Sequence, residues 1–147
     1  MDAPSVNQGG GNGGSGVNYI CYHGLIGDQV NGNNLEYGGF GTRLAYGSVE
    51  AAQQIPIAQD GTLKAFVINV RTNSLNTTAT ITVRINGVDT ALTLNVLVGE
   101  TGSREVIADV AVNRGDLLNI LVNTQPVGGG NINTPGFVLL QEVDELT

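Results

Sequence analysis

The chain has 147 residues, a formal net charge of −7 and only 13% charged residues, with one histidine, one cysteine and no tryptophan. That length makes one domain able to bury a real core, while six basic residues spread without a cluster exclude a phosphate-reading surface for nucleic acid. No run approaches the roughly 20 apolar residues of a membrane helix, and a lone Cys21 excludes an internal disulfide framework. Met1-Asp2-Ala3-Pro4-Ser5 has neither the basic nor the apolar region of a secretory leader, so assembly in the cytosol is expected.

Residues 1–47 hold 13 of the 22 glycines, and Gln8 to Gly16 is a Gly/Asn/Ser tract. Such a tract has no apolar surface to offset its ordering entropy, so residues 1–16 are expected to form a flexible arm. The folded domain is placed at 17–143, with an acidic tail at 144–147. Val17 to His23 is the first strand candidate, followed by two glycine-rich loops, Asn31-Gly32-Asn33-Asn34 and Gly38-Gly39-Phe40-Gly41. Ile55 and Ile57 flank Pro56, which marks an edge strand or a strand end. After the Asp60-Gly61 turn, Leu63 to Arg71 carries Phe66, Ile68 and Val70 in phase.

A polar loop at 72–78 leads to Thr80–Ile85, which sets Ile81, Val83 and Ile85 on one face and Thr80, Thr82 and Arg84 on the other. Asn86-Gly87 is the pair that a tight hairpin turn favours, and Leu92, Leu94 and Val96 resume the alternation. Val106, Ala108, Val110 and Val112 alternate again. Asn113 to Asp116 turns the chain into Leu117–Asn123, residues 125–135 form a Gly/Pro/Asn loop, and Phe137 to Val143 is the last strand. No stretch sustains a 3.6-residue period. About eight strands at this spacing predict an all-β fold, a jelly-roll-like antiparallel β-sandwich.

The series Gly61-Thr62-Leu63-Lys64 with Val70-Arg71, Thr82 to Thr93 (TVRINGVDTALT) and Val112-Asn113-Arg114-Gly115-Asp116-Leu117-Leu118 resembles jelly-roll proteins of tailed-phage virions. More distantly it is similar to spore-surface proteins and to C1q-like or tumour-necrosis-factor-like trimer heads. The likeness covers roughly residues 60–143 and rests on strand-and-turn signatures. Spore-surface proteins carry a collagen-like repeat that this chain lacks. The resemblance implies a trimeric surface module, with capsid decoration (cement) proteins the nearest functional match.

Chemistry-bearing residues are few. Arg114-Gly115-Asp116 matches the tripeptide that integrins read, and equally a turn in which Gly115 bends the backbone and Asp116 caps it. Cys21 and His23 share one face of a strand, but zinc takes four ligands and no second Cys or His exists. A buried Cys21 beside a half-exposed His23 is the simpler expectation. His23 is also the only histidine available as a general base, and Ser15, Ser48, Ser74 and Ser103 lack any nucleophile frame. Paired carboxylates could serve a glycosidase, yet no Trp offers a sugar platform. Asp28, Asn31, Asn33 and Asn34 present oxygens without calcium-loop spacing. Gln8–Gly16 lacks the Lys-Ser/Thr ending of a phosphate loop. No catalytic residue, cofactor or metal is assigned.

A sheet face lined by Leu117, Leu121, Val138 and Leu140 offers more apolar surface than one sandwich needs, so these are the expected subunit contacts. Homotrimer is the state implied by the resemblance. The expected role is a structural virion protein on the outer capsid surface, assembled in the host cytoplasm, with the major capsid protein as partner and neither nucleic acid nor membrane. Pro4, Val6, Asn7, Asn33 and Phe40 are the expected capsid contacts, the first three on an arm that would order by strand addition. The alternative is a receptor- or glycan-binding knob of a fibre or spike, although only about 16 residues precede the domain where a knob carries a long stalk.

Overall fold

The computed structural model describes residues 16–43, 45–126 and 128–144. In chain order the strands are β1 (Asn18–Ile26), β2 (Val30–Asn31), β3 (Leu35–Gly38), β4 (Gly41–Arg43), β5 (Ile55–Pro56), β6 (Gly61–Val70) and β7 (Thr72–Asn73). They continue with β8 (Ala79–Ile85), β9 (Val88–Val96), β10 (Gly102–Val112), β11 (Leu117–Asn123), β12 (Asn131–Asn133) and β13 (Gly136–Val143). The one helical element among the described residues is a 3₁₀ turn, Glu50–Gln53.

Two sheets pack face to face. The front sheet runs β10-β6-β13-β1-β4, the back sheet β3-β11-β8-β9 with β5 added to β11, and a small ribbon β2-β12-β7 closes one end. Numbering the eight principal strands in chain order puts the first, eighth, third and sixth in front and the second, seventh, fourth and fifth behind. That alternation between sheets is the double Greek key of a jelly roll. Apart from the short parallel contact of β1 with β4, the strand pairs are antiparallel.

The inward phase of each strand makes the core. Ile81 and Val83 from β8, Leu92, Leu94 and Val96 from β9, and Leu118, Ile120 and Val122 from β11 meet Phe66, Ile68, Phe137 and Leu139 of the front sheet, all buried. Phe40, expected on the surface as a capsid contact, is 4% exposed. It sits edge-on to Tyr22 and Phe137, with ring centroids 6.3 and 5.1 Å away. The glycines around it let the chain enter the core: the loop has no other large side chain to bury.

Asn86 (φ 53°) and Gly87 (φ 76°) form the expected positive-φ hairpin turn between β8 and β9. Gly24 has a different role, since a Cβ there would run into the Phe137 ring. Gly24→Ala should therefore lower stability by about 1–3 kcal/mol through overpacking, read as a shifted urea midpoint. Gly136 is paired one residue away on β13 and its Cβ position is open, so Gly136→Ala should leave that midpoint unmoved.

Candidate functional site

The two outward faces of the sandwich differ in kind. On the back sheet the register aligns Leu35, Asn123 and Thr80, then Tyr37, Leu121, Thr82 and Thr93, then Asn119, Arg84 and Asp89. This face is mostly polar and its charges are satisfied internally. Arg84 Nε and Nη2 donate to Glu50 Oε2 and Oε1 at 2.6 and 3.0 Å, Nη1 donates to Asp89, and the guanidinium lies 5.7 Å from the Tyr37 ring centroid. The 3₁₀ turn bearing Glu50 thus lids the face, and Asn119 beneath it is fully buried.

Hydrogen bonding from Arg84 holds the Glu50 carboxyl below the ordinary glutamate value, against the upward push of partial burial and with help from Asn119 and the Arg84 charge. A depressed folded value means the unfolded chain takes the proton more readily. Glu50 therefore stabilises the fold above the ordinary glutamate range, and that contribution is lost as pH falls through the folded value. Glu50→Gln should flatten the drop in Tm between about pH 5 and pH 3 relative to wild type.

The front face has the opposite character. Reading across β10, β6, β13 and β1, the paired rows are Ser103-Asn69-Gly136-Leu25, Glu105-Val67-Val138-His23 and Ile107-Ala65-Leu140-Cys21, with Thr62-Glu142-Tyr19 below. Ile107 is 72% exposed, Leu25 59%, Tyr19 54% and Val138 39%. Charge is confined to the margins, where Lys64 Nζ meets Asp109 at 2.8 Å. A shallow depression of about 270 Å³ opens in this face, floored by Gly24, Gly136, Ile68 and Phe137 and rimmed by His23, Asn69, Ser103, Val67 and Val138.

From strand spacing and rise, the four rows span roughly 500 Å². Leu25, Val67, Val138, Ala65, Leu140, Ile107 and Tyr19 form an apolar strip across these rows, interrupted by Ser103, Asn69, Glu105, His23, Thr62 and Glu142 on the same face. It holds two of the four expected subunit contacts: Val138 and Leu140 face out from the front sheet, while Leu117 and Leu121 face out from the back sheet. The four do not form one face, because β11 and β13 lie in different sheets. Sequence reading missed Tyr19, Leu25, Val67 and Ile107. The signal for Val67 and Ile107 was present as unbroken apolar runs, Ala65–Ile68 and Val106–Ala108, which give a strand two apolar sides.

The remaining candidates resolve into local structure. Cys21 is exposed, not buried, because Tyr22, Gly24 and Ile26 take the inward positions of β1; His23 is exposed beside it. Asn34 Nδ2 donates to the carbonyls of Asn31 and Gly32 at 3.3 and 3.2 Å, and Thr124 Oγ1 donates to Asn31 O at 2.6 Å. Those carbonyls close a polar turn, with Asn33 exposed at φ 62°. Asp116 accepts from Asn113 N at 2.8 Å and from Asn86 Nδ2 at 3.1 Å, while Arg114 donates to Gln59 Oε1 at 2.8 Å. Both ends of the Arg-Gly-Asp tripeptide bind its own domain. Among the described residues no group of three or more His, Cys, Asp or Glu is placed to hold a metal. Pro4, Val6, Asn7, Ser15, nearly all of the arm and residues 145–147 lie outside the described residues. No protein-family model matches this chain, and no curated protein matches it.

Proposed function

We propose that this chain is a structural surface protein that works as a homotrimer, a decoration (cement) protein bound to the major capsid protein on the outside of a virion. The observation that supports assembly is the exposure of Ile107, Leu25, Tyr19 and Val138 on the front face, set against a back face whose charges pair internally. An isolated chain leaves that face in water; pairing copies through it removes apolar area at roughly 25 cal/mol per Å². The virion setting and the threefold count come from the strand-and-turn resemblance over residues 60–143.

A jelly roll suits such a role because its stiffness is independent of any ligand. The buried aliphatic core fixes both sheets, so the loops at either end are held as rigid contact points for a shell. Stoichiometry on purified particles tests the reading. A quantitative gel should give a copy number that scales with the local symmetry axes of the shell. A count fixed by the vertices or the tail would make the chain a receptor-binding knob, and absence from the particle would overturn the virion assignment.

A further inference from the structure

β1 is paired along nearly its whole length on one side and along only part of it on the other. β13 runs beside it from Asn18 to Leu25 without a register shift, whereas β4 meets it only at Gly24, Leu25 and Ile26. Among the described residues no strand lies beside Asn18–His23 on the β4 side. One hydrogen bond fixes how that open edge faces. Ile26 N donates to Pro135 O at 3.1 Å, so antiparallel alternation turns the amides of the even residues toward β13 and those of Tyr19, Cys21 and His23 outward. The even side chains point to the core: Tyr22 is buried, and Ile20 is half-covered at the core's margin.

We propose that residues 3–7 of the same chain add to this edge as an antiparallel strand, with Ser5 opposite Cys21. The occupant is named by where the chain leads: residues 1–15 run into Gly16, just ahead of β1. Two demands select the same register. Pro4 has no amide to donate, so it belongs where the added strand's N–H points away from β1, which is opposite an even residue. Val6 then also falls opposite an even residue, so Pro4 and Val6 extend the apolar layer past Tyr22 and Ile20 while Ala3, Ser5 and Asn7 face outward. A shift of two residues toward β4 would run Pro4 onto Gly24, whose edge Gly41 already occupies. The opposite shift would set the Asp2 carboxylate beside buried Tyr22. Gln8–Gly16 closes the hairpin, since its mean span of roughly 15–18 Å exceeds the strand separation of about 5 Å and the cost of closure grows slowly with length. The tether holds the arm at high effective concentration over its own edge. An open row of amides and carbonyls invites unwanted pairing, and the arm covers it. This strand addition is independent of the virion reading.

Thiol pairing in the full chain tests it, with the exposed Cys21 as reporter. In a hydrogen-bonded antiparallel pair the Cα atoms stand about 5.5 Å apart, within disulfide range. Ser5→Cys should therefore oxidise onto Cys21 within one chain at least tenfold faster than Val6→Cys, whose side chain would face the core. Rates equal within about twofold would mean a loose arm and overturn the strand. Disulfide-linked dimers in place of the intrachain product would overturn the same-chain assignment. Hydrogen exchange gives a second reading free of thiol chemistry. The Tyr19, Cys21 and His23 amides should exchange at least tenfold more slowly in the full chain than in one lacking residues 2–7, while Val67 and Leu139 exchange alike in both. Equal exchange at those three amides would overturn the proposal.

Discussion

Phe66→Ala should lower the stability of the isolated fold by about 3–5 kcal/mol, enough to unfold much of the population of a marginally stable domain. Phe66 is fully buried at the middle of β6, the strand flanked by both β10 and β13. Its ring stands edge-on to Phe137 at 6.3 Å, and Phe137 in turn contacts Phe40. Truncation empties the junction where the front sheet, the β3–β4 connection and the core meet. The cavity cannot collapse cheaply, because the neighbouring strands are fixed by their own ladders. Urea unfolding followed by far-UV circular dichroism measures the effect; a loss below about 1 kcal/mol would mean the site relaxes freely or the core is packed otherwise.

Val138→Glu should leave the monomer folded and weaken self-association at least a hundredfold. Val138 lies at the centre of the front face, paired with His23 on β1 and Val67 on β6, and its side chain already meets water. A carboxylate there costs the free chain little. In an assembled face it would be taken out of water beside Val67 and His23, and removing a carboxylate from water costs several kcal/mol. Asn95→Glu, at an exposed position on the outer side of β9 in the back sheet, is the control and should assemble as wild type does.

Much of the fold was legible because most strands alternate cleanly. In β9 the inward Leu92, Leu94 and Val96 are separated by Thr93 and Asn95, so period and facing follow from the sequence. The Asn86-Gly87 turn was equally plain, since few other pairs accept positive φ twice. The outward front face was only half legible. Val138 and Leu140 do lie on it, but Leu117 and Leu121 were grouped with them because sequence says which side of a strand a residue takes and not which sheet the strand joins. Phe40 was misread for a related reason: a lone aromatic in a glycine-rich loop looks like a surface anchor until the loop is seen to dip between the sheets. Gln141 could not have been placed at all. A register irregularity between Leu140 and Gln141 accompanies its complete burial, where it accepts from the Tyr22 hydroxyl at 2.7 Å.

In the proposed assembly the front face is covered in solution by further copies of the chain. Sedimentation equilibrium of the wild-type protein across the micromolar range tests it most directly. A mass three times the 15.2 kDa of one chain is expected, reduced to one chain by Val138→Glu and unchanged by Asn95→Glu. A wild-type mass of 15.2 kDa throughout that range, or a trimer indifferent to Val138→Glu, would contradict it.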